Sequence, residues 1–250
     1  MCRIQDSQSP LLQAMQHKRA RKPKPAVVPP RLQQPTTGSA PLASDYEAIA
    51  PYLNQGTCRY FVLKTFSEAD VHKSIKYGIW TSTYISNHFL DAAFGRDLSC
   101  MRPILFFFSV CGSKHFCGIA RMTSGLNSDR NFLLWEKTKY EGYFNIEWLV
   151  VKDVPNHALK TIVLPTDGKN ITSVRDCDEI PFNEASEFLQ RFVAHDGATS
   201  LLEDMEHYDT LQRALEIKRG LSNVPPTADV DDFLTPAIAT EVRRRRTSSC

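Results

Sequence analysis

The stretch 133-LLWEKTKYEGYFNIEWLVVKDVPN-156 divides into two textures. Its second half alternates Phe144, Ile146, Trp148 and Val150 with other residues, the period-two pattern of a strand with one buried face, and Pro155 ends it. In its first half Trp135 and Tyr140 stand five residues apart with 136-EKTK-139 between them. Such polar surroundings predict a surface loop. Aromatics held on a loop by a rigid scaffold are placed to bind something flat or methylated. Trp148, in phase with the strand's apolar residues, reads as core.

Upstream, 103-PILFFFSV-110 and 116-FCGIARM-122 predict two strands joined by the hairpin connection 111-CGSK-114. The run 59-RYFVLKTF-66 predicts a further strand. In 67-SEADVHKSIKYGIW-80, Ser67 is a good N-cap, acids fill the first turn, and Val71, Ile75 and Ile79 recur at four-residue spacing. This predicts an amphipathic helix ended near Gly78. The segment 87-NHFLDAAFGR-96 reads as a second, short helix and 159-LKTIVLP-165 as another strand. Phe182, Ala185, Phe188, Leu189 and Phe192 predict a closing helix over 182–195, and residues 199–220 one more. Strands and helices mixed in this order predict a single α/β domain over residues 57–196.

The flanks differ in composition. Residues 1–56 hold more than half of the 15 prolines and the basic run 17-HKRARKPKP-25, which predicts a disordered arm. Residues 197–221 are expected as a helical extension. Residues 222–250, with Pro225, Pro226 and 243-RRRR-246, are expected as a disordered tail. The basic runs read equally as solvated tails or as import or phosphate-binding segments.

The composition also narrows the chemistry. Seven cysteines, with no C-x-x-C pair, argue against a disulfide framework and against structural zinc, and no cofactor is expected. No window has the apolar length of a signal core or a membrane span, so the cytoplasm is the expected compartment, with the nucleus as the alternative. Neither a phosphate-cradling G-x-x-x-x-G-K-[ST] nor a strand-linked G-x-G-x-x-G is present. His115 and Cys117 share one face of a strand and read as packed, and Asp176, Asp178 and Glu179 read as a solvated turn. No catalytic residue is assigned, and the chain is not expected to be an enzyme.

The pieces 64-KTFSEADVHKSIKYGIWTST-83, 90-LDAAF-94, 105-LFFFSVCGSKHFCGIARM-122, 135-WEKTKYEGYFNIEWLVVKDVPN-156 and 173-SVRDCDEIP-181 resemble, in order and spacing, the YTH domain family. The likeness runs over about residues 57 to 195 and is greatest to the YTHDF-like branch, with Tyr140 resembling fungal members. It implies a small curved or barrel-like β-sheet flanked by helices, and a reader of N6-methyladenosine in single-stranded RNA, mRNA in particular. By resemblance, Trp80 and Trp135 flank the methylated amine and Tyr140 lies under the base. The Thr81 backbone carbonyl then accepts the remaining amine hydrogen, the backbone at Phe66 donates to the base, and Asp70 faces a ring nitrogen. An ionised carboxylate only accepts hydrogen bonds, so Asn at position 70 is expected to bind better. Lys64, Lys139 and Arg175 are expected at phosphates, whereas Lys73 is expected to be a solvated charge. Trp80 and Trp135 are expected to lie outside the core, and protein partners to dock on the tails. The alternative reading of the same residues is a scaffold for RNA processing or protein interaction that binds RNA without reading the methyl group.

Overall fold

The computed structural model describes residues 42–54, 56, 58–98, 102–197, 199–221 and 229–236. The runs 17–25 and 243–246 lie outside the described residues. In chain order the strands are β1 (Arg59–Thr65), β2 (Ile79–Trp80), β3 (Ile104–Val110), β4 (His115–Met122), β5 (Arg130–Phe132), β6 (Phe144–Pro155), β7 (Glu179–Ile180) and β8 (Leu234–Pro236). The helices are α1 (Leu42–Ile49), α2 (Glu68–Tyr77), α3 (Tyr84–Leu98), α4 (Asn156–Leu159), α5 (Phe182–Ala194) and α6 (Met205–Lys218). Six strands form one curled sheet in the order β2-β6-β4-β3-β1-β7, parallel only between β1 and β3, and β5 pairs with β8.

Every residue of β3 is buried, because helices and loops cover both faces of the sheet at its centre. Phe106 and Phe108 enter one core with Trp80, Trp135 and Trp148, while Leu105 and Phe107 enter the other with Phe188 and Phe192 of α5. The even positions of β6 are all buried, as the alternation predicts, but Trp148 belongs to the first core and Val150 to the second. The β4–β6 register explains this. Ala120 pairs with Trp148 and Ile119 with Val150, so β6 carries one extra residue there, and a bulge passes the inward side chains from one face to the other. Gly118 lies beside this bulge, where a Cβ would come within 2.6 Å of the Val150 carbonyl and 2.7 Å of the Trp148 ring. Only glycine fits.

Three expectations are corrected. The segment 159–165 is apolar but forms no ladder: α4 takes Leu159, Val163 makes one isolated bridge to Asn170, and Leu159, Ile162 and Leu164 are buried separately in the second core. The arm expected to be disordered over 1–56 is helical over Leu42–Ile49, with Ile49 fully buried and Asp45 paired to Lys152 Nζ at 2.9 Å. Within the tail expected over 222–250, residues 229–236 form a capped turn and β8, anchored by the buried Phe233. Both segments are ordered because each contributes a large apolar side chain to a core, which composition alone does not reveal.

Candidate nucleic-acid interface

Trp80 owes its place to the end of α2. The helix starts at Ser67, whose Oγ accepts from the Asp70 N–H at 2.9 Å, and stops at Gly78, whose φ of 65° is the left-handed conformation glycine adopts freely. The chain then enters β2, where Trp80 pairs with Phe144 of β6. Trp135 follows β5 and meets Trp80 edge to face, with ring centroids 5.8 Å apart and planes at 72°. Phe108 backs Trp80 at 4.8 Å, and Phe132 backs Trp135 at 5.0 Å. Tyr140 is half-buried and packs against the same core.

The two tryptophans are thus brought together as expected, but they are core residues: Trp80 is 5% exposed and Trp135 2%. The expectation that they lie outside the core is overturned. The polar run 136-EKTK-139 is exposed, yet it reports on its own side chains and not on the indole before it. Lys137 Nζ lies 4.9 Å from the ring centre of Phe66, which is 75% exposed, and 6.0 Å from that of Tyr140.

A polar frame surrounds the rings. Asp70 is 3% exposed and its Oδ1 accepts from both Lys73 Nζ and the Glu136 N–H, each at 3.0 Å. Lys73, at 2% exposed, is therefore a buried partner and not the solvated charge expected, and its pairing with the Asp70 carboxylate offsets the desolvation of its ammonium. Burial pushes the Asp70 carboxyl above its ordinary range, and Lys73 opposes that shift. Thr81 is buried, and its Oγ1 accepts from Asn87 Nδ2 at 3.0 Å. Asn87 Nδ2 also donates to the Glu141 carbonyl at 3.0 Å, and Asn87 Oδ1 accepts from the Ser82 N–H at 2.8 Å. One buried amide thus joins the segment after Trp80 to the loop of Tyr140.

Asp176 accepts from the Lys64 N–H at 2.8 Å and from Ser82 Oγ at 3.2 Å, while Glu179 pairs with Arg59 at 2.7 Å. Asp176 is half-buried and not the solvated turn residue expected, whereas Glu179 is exposed as expected, though it lies on β7. Burial raises the Asp176 carboxyl, with these donors opposing. Lys64 Nζ donates to the Thr172 carbonyl at 3.0 Å, and burial lowers its pKa, whereas Lys139 and Arg175 stand exposed. Cys117 is fully buried and burial pushes its thiol up, which removes it as a nucleophile. Among the described residues no group of three His, Cys, Asp or Glu side chains is placed to hold a metal ion, and no helix is long and apolar enough to cross a membrane. Asn87 is the residue that sequence reasoning missed, since its partner Glu141 lies in another segment, whereas the pairing of Lys73 with Asp70 is local, three residues apart on α2.

The profile of the YT521-B-like (YTH) domain family matches residues 58–193. The chain belongs to the YTH domain family. YTH domain-containing family protein 1 of Mus musculus is 38% identical over 192 residues, covering 74% of this chain and 34% of the relative. YTH domain-containing family protein 3 of Homo sapiens is 40% identical over 166 residues, covering 66% and 28%. The chain therefore spans about a third or less of these relatives. The crystal structure of the YTH domain of Zygosaccharomyces rouxii MRB1 protein in complex with N6-methyladenosine RNA is 36% identical with a TM-score of 0.53, covering 57% of this chain and 92% of that one. The Pho92 YTH domain in complex with m6A is 35% identical with a TM-score of 0.56, covering 61% and 96%.

Proposed function

We propose that this chain reads N6-methyladenosine in single-stranded RNA, and that it is a binding module and not an enzyme. The observation that carries this reading is the edge-to-face pair Trp80–Trp135 at 5.8 Å, in a chain 35–36% identical to YTH domains described with methylated adenosine. A methylated adenine is neutral, so the rings act without the cation–π attraction that serves charged methylammonium ligands. Stacking of a base on an aromatic face contributes about 1–3 kcal/mol whether or not the base is methylated. Burial of the methyl group adds about 1 kcal/mol. The void left by an unmethylated base brings discrimination to roughly 1–3 kcal/mol.

In this reading the Thr81 carbonyl takes the remaining amine hydrogen, the Phe66 backbone and Asp70 face the base edge, and Lys64, Lys139 and Arg175 meet phosphates. Exposure favours Arg175 and Lys139 for the last role. The bound mRNA is thereby selected in the cytoplasm for a post-transcriptional fate that partners of the flanking segments decide. RNA crosslinked to the protein in cells should be enriched in N6-methyladenosine over input, and Trp80→Ala should abolish that enrichment. Equal methylation in crosslinked and input RNA would overturn the proposal.

A further inference from the structure

The loop bearing Trp135 and Tyr140 is held from behind by residues beyond the family match at 58–193. Arg219, the residue after α6, donates from Nη1 to the Leu133 carbonyl and from Nη2 to the carbonyls of Trp135, at 2.8 Å, and Glu136, at 3.4 Å. The Leu133 N–H donates to the Phe233 carbonyl at 2.9 Å, and β8 pairs with β5 immediately before the loop. Phe233, 1% exposed, lies 6.2 Å from Phe132 and 5.7 Å from Tyr77, and Phe132 backs Trp135. Gln212 of α6 donates to the Tyr77 hydroxyl at 2.8 Å, which fastens the same extension to α2.

One peptide unit concentrates these contacts. The carbonyl of Trp135 and the N–H of Glu136 belong to the same planar group. Arg219 holds the carbonyl, and the Asp70 carboxylate holds the N–H at 3.0 Å. A peptide gripped on both edges cannot rotate, so the backbone torsion that aims the Trp135 ring at Trp80 is set from two sides. Irregular segments otherwise have low local stability, because few of their backbone groups are paired. Three carbonyls on one planar fork suit arginine and not lysine, whose ammonium is a single point charge.

We propose that Arg219 is a positioning residue for methyl readout, and that residues 205–221 and 229–236 form a clamp on which the angle of Trp135 depends. This rests on the reader function proposed above. It makes the C-terminal segment part of the selectivity machinery although it lies outside the matched domain. A change in that segment therefore alters the preference for methylated RNA more than it alters RNA binding in general.

The test compares the full chain with its Arg219→Gln and Arg219→Lys variants, titrated with paired short RNAs that differ by one methyl group. The indole N–H signals of the three tryptophans are followed in parallel. Loss of one charge-assisted contact is expected to weaken binding of the methylated RNA by about tenfold in the Gln variant. The unmethylated RNA should change by less than about twofold, the Lys variant should fall between, and the Trp135 indole should move while that of Trp148 stays. Equal weakening of both RNAs, or an unchanged ratio, overturns the clamp. If the Gln variant loses the Trp148 signal and is unfolded, the Lys variant decides: an intermediate ratio supports the clamp and a wild-type ratio overturns it. A wild type without methyl preference overturns the reader function instead, and the Trp135 indole shift then still decides the clamp.

Discussion

Replacing Trp135 with alanine should damage the fold as well as the binding. The side chain is 2% exposed and packs on Phe132 at 5.0 Å and Trp80 at 5.8 Å, so its removal opens a cavity shared by two aromatic neighbours. Truncating a buried tryptophan costs about 3–5 kcal/mol. Its Nε1 is buried with no hydrogen-bond partner among the described residues, and removing an unpaired donor returns part of that cost, which favours the lower end, about 3 kcal/mol. For a domain of this size that lowers the melting midpoint by roughly 6–12 °C. Binding of methylated RNA should weaken by a further 1–3 kcal/mol, roughly, from lost stacking. Urea titration gives the stability change, and calorimetry with methylated RNA at a temperature where both proteins are folded gives the binding change. A Trp135→Ala protein with the wild-type urea midpoint would refute the core assignment.

Arg175→Ala and Lys139→Ala should weaken methylated and unmethylated RNA alike and flatten the salt dependence by about one phosphate each; an altered methyl preference at constant slope would contradict that division. Asp70→Asn should lose stability on the order of 3 kcal/mol and bind less well, because the buried Lys73 ammonium loses its counter-charge, so a more stable or tighter-binding variant would contradict the structure. The buried His72 has its pKa lowered to about 4 from 6.5 by desolvation, with Asp209 at 3.3 Å opposing and Lys76 and Lys73 adding to it. The folded value lies below the unfolded one, so the stability is present above pH 6.5 and is lost as pH falls through about 4, by roughly 3 kcal/mol. His72→Gln should flatten stability across that window, and an unchanged pH profile in urea titrations would exclude His72 as the cause.

Local signals were legible and non-local ones were not. The cap at Ser67, the stop at Gly78 and the alternation of Phe144, Ile146 and Trp148 are written within a few residues, and each element forms where they place it. The bulge opposite Ile119 and Ala120 has no such signature, so the transfer of β6 from one core to the other was invisible. The segment 159–165 is the reverse case, since its apolar content signals burial and not strand pairing. The meeting of Trp80 with Trp135 came from family likeness and not from periodicity, because the two lie in separate segments. The contacts of Asn87 with Glu141 and of Arg219 with Trp135 likewise span segments that only the fold brings together. The capping box of Asp229 and Asp232 is a local signal, but Pro225, Pro226 and the arginine run around it led to the reading of a featureless tail.

The central proposal is that Trp80, Trp135 and Tyr140 sense one methyl group. Calorimetric titration of the full chain with two short RNAs of identical sequence, one carrying N6-methyladenosine and one adenosine, measures this most directly. The methylated RNA should bind more tightly by about 1–3 kcal/mol, or roughly 5- to 150-fold, with the same salt dependence for both. Equal affinities for the two RNAs would contradict the claim.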